Sequence, residues 1–210
     1  MQNSFYANTE LIGLIGFPIK QSFSPFIHNV AAELTGTRII YLPFEVPSSN
    51  LKNAVRGMVA LGLKGFNVTV PHKVKVVDYV NKLSEEAAVI GSVNTVVNEL
   101  GKLIGYNTDV NGILDSLTPY KSQISGNEVC VIGAGGSARA VIYTLVRYFK
   151  PQKIYLVNRT DQHAEALKQH FKSKMKFDGI VTKELQQPDL ITVLNNCSLI
   201  INSTPVGMYP

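Results

Sequence analysis

The sequence contains few of the residues that build metal centres, disulfide frameworks or membrane spans. It has no tryptophan, two cysteines and four histidines, and the histidines show no metal-ligand spacing. Cys130 and Cys197 lie far apart in apolar runs, so we expect two buried, reduced thiols, which are typical of a cytoplasmic protein. No apolar run approaches the roughly 20 residues that a membrane span requires. We therefore expect no metal site, no disulfide and no membrane segment.

Charged residues are also scarce, at 17% of the chain, although the net charge is +5. Much of the basic excess lies in residues 147–176, where it would form solvated helix faces and a mild positive field favouring a phosphorylated ligand. The chain has no nucleic-acid-binding motif and no series of stacking aromatic residues. Residues 11–17 are apolar but lack the basic leader and cleavage site of a signal peptide. We expect a small-molecule substrate, no nucleic-acid or membrane partner, and a monomer or homodimer.

Apolar runs of strand length alternate with helix-period segments along most of the 210 residues. This alternation is typical of an α/β fold with a mainly parallel sheet. The predicted strands of the first half are 11–17, 39–46 and 65–70, followed by a hairpin of 93–98 and 102–106. The predicted helices are one capped by Ser24 and ended by Gly36, then 51–61 and 72–90, then a short one from Asp109. The hairpin places one antiparallel strand in an otherwise parallel sheet.

The pattern restarts at Glu128, after a polar stretch at 118–127. Four further strands are predicted, at 128–132, 153–157, 179–182 and 199–201, with helices ending near 148 and covering 161–172. A full two-halved dinucleotide fold usually has about six strands. The sequence therefore predicts two domains, at 1–117 and 128–210, joined by a linker at 118–127, with fewer strands in the second domain than a full dinucleotide fold has.

A glycine-rich turn follows the first strand of the second half. Gly133, Gly135 and Ala138 have G-x-G-x-x-A spacing, directly after a strand and at the opening of a helix. The first glycine permits the tight turn, the second lets the backbone approach a pyrophosphate, and the small third residue allows close packing. The helix N-terminus adds N–H groups and a partial positive charge for that anion. This context favours a dinucleotide site over a structural turn.

The end of the next strand indicates which dinucleotide is bound. An NAD site usually has Asp or Glu here, whereas this chain has Asn158, Arg159 and Thr160. A guanidinium can bind a 2′-phosphate through paired hydrogen bonds, so we expect NADP. Arg139 either approaches phosphate or faces solvent. The predicted cofactor-binding residues are Gly133, Ala134, Gly135, Gly136, Ser137, Ala138, Asn158, Arg159 and Thr160.

Polar side chains cluster in the first half where an open α/β sheet places its ligands, beyond the carboxyl ends of strands. Each has an ordinary explanation when taken singly: Ser24 as a helix cap, Asn107 as a turn residue, Lys73 as a solvated lysine. His72 follows Pro71 at a helix start, which indicates a local structural role. The clustered residues are Ser22, Ser24, Thr69, Lys73, Asn94, Asn107 and Asp109.

Taken together, these strings resemble the shikimate dehydrogenase family over nearly the whole chain. The pattern G-x-P-I-x-x-S-x-S-P-x-x-H-N occurs at 16–29, and N-V-T-x-P-x-K occurs at 67–73. The remaining motifs follow in order as V-N-T at 93–95, N-T-D-x-x-G at 107–112, G-A-G-G at 133–136, N-R-T at 158–160 and N-x-T-P-x-G-M at 202–208. Gln21 and Ser92 depart from the common family residues, His and Ala, and we expect little effect from either.

The resemblance implies a reversible, NADP-linked reduction of 3-dehydroshikimate to shikimate in aromatic amino-acid biosynthesis. Ser22 and Ser24 would bind the substrate carboxylate. Thr69, Asn94 and Asp109 would bind ring hydroxyls, and Lys73 would also bind the substrate. Lys73 and Asp109 would form the catalytic pair, and which of them carries the proton stays open. Residues 1–117 would be the substrate-binding catalytic domain, and 128–210 an incomplete Rossmann-type NADP-binding domain. Two alternatives are a quinate/shikimate dehydrogenase using NAD or NADP, and a non-catalytic binding protein. The second follows from the family's C-terminal glycine-rich segment and returning helix, which we expect to be absent here.

Overall fold

The apolar runs predicted from the sequence form the strands of two separate sheets in a computed structural model of the protein. The structure describes residues 8–185, 188 and 190–207. They divide into two units, each with its own hydrophobic core. Unit 1 comprises 8–87 and 93–106, and unit 2 comprises 88–92 and the described part of 107–207. The predicted two-domain α/β fold class is confirmed.

Unit 1 contains a six-stranded mixed sheet with the strand order β2-β1-β3-β5-β6-β4. Strands β1, β2 and β3 are mutually parallel, and β5 runs antiparallel to both its neighbours, β3 and β6. The prediction of one antiparallel strand in an otherwise parallel sheet is therefore confirmed. The strands are β1 Glu10–Gly16, β2 Ile39–Glu45, β3 Gly65–Val68, β4 Lys82–Leu83, β5 Thr95–Glu99 and β6 Lys102–Tyr106.

Two helices connect the first three strands of unit 1. Helix α1 covers Ser24–Thr35 and ends at Gly36, whose φ of 64° lies in the left-handed region that favours glycine. Ser24 is the first helical residue of α1 and makes no side-chain cap, so the predicted cap is wrong. Helix α2 covers Leu51–Ala60 and buries Leu51, Val55 and Met58 in the unit 1 core because they recur at helical spacing.

The predicted long helix at 72–90 is wrong. The segment forms a 3₁₀ turn at Lys75–Tyr79, the short strand β4, and helix α3 at Glu85–Ile90. Val80 is extended, with φ −100° and ψ 152°, which ends the turn. The Ser84 hydroxyl accepts the Ala87 N–H at 3.1 Å and starts α3 as a local cap. A serine before two glutamates was the sequence signal for this start.

Unit 2 contains an all-parallel sheet of four strands in the order β10-β7-β8-β9. The four predicted strands are confirmed as β7 Glu128–Ile132, β8 Lys153–Asn158, β9 Ile180–Glu184 and β10 Leu199–Asn202. The helices of this unit are α4 Asp109–Leu117, α5 Lys121–Ile124, α6 Gly136–Thr144, α7 Asp161–Met175 and α8 Leu190–Asn196. A π turn at Leu145–Phe149 extends α6, and α8 is a helix that the sequence analysis did not predict.

The boundary between the units differs from the one predicted at 117 and from the predicted linker at 118–127. Val110 of α4 and Ile124 of α5 are both about 1% exposed and belong to the core of unit 2. Apolar burial therefore makes residues 107–127 part of unit 2 rather than a separate connection. The assignment of substrate and cofactor binding to the two parts of the chain stays a prediction.

Candidate functional site

Ser22 and Ser24 lie between β1 and the first turn of α1. The Ser22 hydroxyl accepts the Ser24 N–H at 3.3 Å and lies 3.2 Å from the Ser24 hydroxyl, to which it donates. Both side chains are only partly buried. Ser22, not Ser24, thus satisfies a backbone donor at the start of α1, and the two hydroxyls form a close, partly exposed pair.

Tyr41 of β2 connects this serine pair with the centre of the sheet. Its ring is 1% exposed and its hydroxyl donates to Asn67 Oδ1 at 2.8 Å. Burial raises the pKa of Tyr41 to about 12, and a hydrogen bond with the Ser24 side chain opposes that rise. The phenol therefore stays protonated at physiological pH. Tyr41 is not predictable as part of this network from the sequence, because a tyrosine in an apolar strand gives no sign of its partner.

The Asn67 amide extends the network to the residues before and at the start of β5. Its Nδ2 donates to Thr95 Oγ1 at 3.1 Å and to the Asn94 carbonyl oxygen at 3.4 Å. Thr95 Oγ1 in turn donates to Asn94 Oδ1 at 3.0 Å. The Asn94 N–H donates to the Tyr106 carbonyl oxygen, which fixes its backbone just outside β5. Hydrogen bonds within unit 1 thus link Ser22, Ser24, Tyr41, Asn67, Thr95 and Asn94.

Thr69 and Lys73 follow β3 in unit 1. The Thr69 N–H donates to the Ile15 carbonyl oxygen, and a Cβ at Gly16 would collide with the Thr69 methyl group, so only glycine fits beside it. The Lys73 carbonyl oxygen accepts the Val93 N–H at 2.8 Å. His72 is 1% exposed and its Nε2 lies 2.6 Å from the Val46 carbonyl oxygen, so it has the structural role predicted.

Asp109 belongs to unit 2, where it is the first residue of α4. Its N–H donates to Asn107 Oδ1 at 3.2 Å, and Asn107 Nδ2 donates to the Ser92 carbonyl oxygen at 2.9 Å. Ser92 is fully buried and its hydroxyl donates to the Gly136 carbonyl oxygen at 3.3 Å. These bonds connect the backbone of Asp109 with the first residue of α6. Ser92 therefore makes a specific contact that the sequence analysis did not expect.

The glycine-rich turn of unit 2 connects β7 with α6. Gly133 has a φ of 105°, and a Cβ there would lie 2.7 Å from Ser203 Oγ, so both conformation and space require glycine. Gly135 precedes α6 and has open space where a Cβ would be. Gly136 begins the helix, Ala138 is fully buried against the core, and Ala134 and Ser137 are partly exposed. The turn leaves room for a pyrophosphate at the helix N-terminus.

The residues after β8 lie beside this turn because β7 and β8 are adjacent parallel strands. The side chain of Asn158 donates to the Thr160 carbonyl oxygen at 2.8 Å and holds the loop that leads into α7. Arg159 is exposed between them. An exposed guanidinium at the carboxyl end of β8 can reach a 2′-phosphate without breaking a structural contact.

Residues after β10 also contact the glycine-rich turn. Ser203 Oγ donates to the Ile132 carbonyl oxygen at 2.7 Å, beside Gly133. Asn202 Oδ1 accepts both the N–H and the hydroxyl of Thr204, which makes this loop a locally bonded turn. The motif at 202–208 was noted from sequence but not assigned to the cofactor residues, and its last residue, Met208, lies outside the described residues.

Arg139 has neither of the two positions that the sequence left open. Its Nη1 donates to the Ile90 carbonyl oxygen at 3.3 Å, and burial lowers the pKa of the guanidinium. His170 Nε2 lies 2.7 Å from the neighbouring Val89 carbonyl oxygen. Both side chains therefore satisfy carbonyl groups at the end of α3.

No group of three or more His, Cys, Asp or Glu suited to a metal ion occurs in the part of the chain that the structure describes. The helices within the same residues are too short or too polar to cross a membrane. The features that remain are a hydrogen-bonded polar network in unit 1 and a dinucleotide-type glycine turn in unit 2. Together they define a two-unit α/β protein built to bind a nucleotide and a small polar molecule.

Comparison with known families agrees with this class. Residues 14–96 match the model of the shikimate dehydrogenase substrate binding domain, and residues 117–207 match the shikimate / quinate 5-dehydrogenase model. The NADP(+) shikimate dehydrogenase of Caldanaerobacter subterraneus subsp. tengcongensis is 44% identical over 206 residues, which cover 97% of this chain and 71% of that protein. The chain belongs to the shikimate dehydrogenase family.

Two solved structures share the fold. A shikimate dehydrogenase crystallised with NADP+ has a TM-score of 0.85 and 38% identity, with 99% of this chain and 70% of that chain covered. The shikimate 5-dehydrogenase of Listeria monocytogenes, in complex with shikimate and NAD, has a TM-score of 0.82 and 35% identity, with coverage of 100% and 73%. These similarities extend along nearly the whole of the present chain.

Proposed function

We propose that this protein catalyses the NADP-dependent, reversible reduction of 3-dehydroshikimate to shikimate. The observation that carries the proposal is the hydrogen-bonded network from Ser22 to Asn94, in the part of the chain that matches a substrate-binding domain. Hydroxyl and amide groups with fixed orientations suit a ring that carries a carboxylate and several hydroxyls. A site built to bond such hydroxyls rejects molecules that lack them.

Each polar residue has a proposed partner on the substrate. Ser22 and Ser24 bind the carboxylate, because their two hydroxyls are close together and both side chains are partly exposed. Thr69, Asn94 and Asp109 bind ring hydroxyls. The partly exposed state of all three supports this assignment, since their backbones are fixed while their side chains retain access.

We assign the proton transfer to Lys73 and Asp109 as a pair. In the oxidation of shikimate, the proton of the 3-hydroxyl passes to this pair while the C–H bond of the same carbon breaks. In the reverse reduction, the pair returns the proton to that oxygen. Support comes from the backbone anchors: Lys73 is bonded to Val93 in unit 1, and Asp109 is held through Asn107 on Ser92 in unit 2.

The residues of unit 2 fit a dinucleotide carrying a 2′-phosphate. NADP, when bound, accepts or supplies the hydride. Gly135 leaves the open space that a pyrophosphate needs, and Arg159 provides an exposed cation at the carboxyl end of β8. The proposed cofactor contacts are thus the 133–138 turn and residues 158–160.

The same proposal gives the protein a place in aromatic amino-acid biosynthesis, acting on a small molecule in the cytoplasm as a monomer or homodimer. Both cysteines are free thiols, Cys130 buried and Cys197 partly so, which suits a reducing compartment. Burial raises the pKa of the Cys130 thiol to about 12, which keeps it unreactive.

A set of four parallel assays, with each pairing of substrate and cofactor, tests the proposed function. The purified 210-residue protein is given shikimate or quinate with NADP or NAD, and reduced nicotinamide is followed by absorbance. We expect the highest kcat/KM for shikimate with NADP. A preference for quinate or for NAD would favour the broader dehydrogenase. Binding of shikimate by calorimetry without turnover would favour a non-catalytic binding protein.

A further inference from the structure

Tyr41 lies at the centre of the polar network of unit 1. We propose that it is a positioning residue for the substrate, whose hydroxyl sets the orientation of the Asn67 amide and, through it, of Thr95 and Asn94. This inference rests on the proposed function of the same site. It assigns Tyr41 a role in substrate affinity rather than in the chemical step.

The direction of the hydrogen bonds carries the inference. An asparagine amide has an acceptor end and a donor end, and its orientation is set by its partners. The Tyr41 hydroxyl donates to Asn67 Oδ1 at 2.8 Å, so Nδ2 faces Thr95 Oγ1 at 3.1 Å. Thr95 Oγ1 accepts this hydrogen bond from Asn67 and donates its own hydroxyl proton to Asn94 Oδ1. Loss of the phenol hydroxyl would remove the donor that Oδ1 has among the described residues and permit the amide to rotate.

The Tyr41 ring is itself held firmly enough to act as a reference. Asn29 of α1 bonds both backbone groups of Tyr41, accepting its N–H at 2.9 Å and donating to its carbonyl oxygen at 3.0 Å. His28 stacks on the ring, with centroids 4.3 Å apart and planes within 7°. Leu14 and Ile19 pack with it in a small buried cluster. A rigid aromatic ring that carries one hydroxyl can therefore orient the more flexible side chains around it.

The test is Tyr41→Phe, which keeps the ring, its stacking and its packing but removes the hydroxyl. We expect the Kd and KM for shikimate to rise about 3- to 10-fold, the range that loss of one neutral hydrogen bond produces. We expect kcat to change less than about twofold and the KM for NADP to stay unchanged, because neither depends on this bond. Tyr155→Phe is the matched control, since it removes a hydroxyl bonded to Glu128 in unit 2.

A double variant separates positioning from general loosening. In an Asn67→Ala background, Tyr41→Phe should raise the shikimate Kd no further, because its effect passes through Asn67. Additive effects, or an unchanged Kd in the single variant, would overturn the inference. Should Tyr41→Phe fail to fold, Thr95→Val removes the opposite end of the network, and an unchanged Kd there would also overturn it. Calorimetry measures the shikimate Kd of the unaltered protein and of each variant without turnover. A failure of this inference is therefore distinguishable from a failure of the proposed catalysis.

Discussion

His72 and Lys73 show how the surroundings of two adjacent residues separate a structural role from a chemical one. His72 is buried and its ring contacts a backbone carbonyl oxygen, so it holds the chain after β3. Lys73 is partly exposed, and its backbone carbonyl is the anchored group. Its side chain is therefore attached to a fixed backbone while keeping access to a ligand, as a catalytic group requires.

Replacing Lys73 with alanine tests its proposed part in proton transfer. We expect kcat to fall about 100- to 10,000-fold, the usual effect of losing a general acid or base, with little change in KM. Steady-state kinetics with shikimate and NADP measures both constants. Lys75→Ala is the matched control, because Lys75 is exposed and forms an ion pair with the nearby Asp78 at 2.8 Å. Turnover close to that of the unaltered protein in Lys73→Ala would contradict the assignment.

Replacing Arg159 with alanine tests the choice of cofactor. Loss of a charge-assisted bond to the 2′-phosphate should raise the KM for NADP about 10- to 100-fold and leave the KM for NAD nearly unchanged. Arg147→Ala serves as the control, since Arg147 is an exposed arginine of the same unit in the turn that extends α6 away from the glycine-rich turn. Equal increases for both cofactors would show that Arg159 does not contact the phosphate.

Regular elements with their own sequence signals were predictable, and elements fixed by tertiary packing were not. The strands of unit 2 and the strand–turn–helix at Gly133 follow from apolar runs and glycine spacing alone. The segment 72–90 shows a helical period, but His72 is bonded to Val46 and Asn81 accepts the Leu103 N–H through its side chain. Those partners lie 26 and 22 residues away, so a local pattern cannot reveal them.

Two alanine substitutions in the glycine-rich turn should affect different properties, one the stability of the protein and the other its affinity for NADP. Gly133→Ala forces a positive φ and a clash with Ser203, so we expect the free energy of unfolding to fall by about 1–3 kcal/mol. Gly135→Ala has room and an ordinary φ of −87°, so stability should be unchanged, while the added methyl group weakens NADP binding at least about tenfold. Denaturant unfolding and calorimetric titration with NADP measure the two effects. Equal NADP affinity in Gly135→Ala and the unaltered protein would contradict the proposed pyrophosphate position.

The division of the molecule into two units was predictable in number but not in its boundaries. The chain passes between the units at 87–88, 92–93 and 106–107. Residues 88–92 belong to unit 2 because Arg139 and His170 bond the carbonyl groups of Ile90 and Val89, at separations of 49 and 81 residues. Similarly, motifs predict Ser22 and Asn94 as site residues, whereas Tyr41, which the hydrogen bonds place between them, lies in no motif. Long-range partners define both the boundary and the network.

Cofactor binding should also be visible in the stability of the whole protein. A ligand that binds only the folded state at 100 times its Kd adds about 2.7 kcal/mol to the free energy of unfolding. For a chain of 210 residues this corresponds to a Tm increase of roughly 5 to 10 °C. NADP should reach this increase at a lower concentration than NAD, because only NADP offers a 2′-phosphate to Arg159. In Arg159→Ala the two cofactors should become equivalent in thermal unfolding scans, whereas equal shifts in the unaltered protein would contradict the NADP preference.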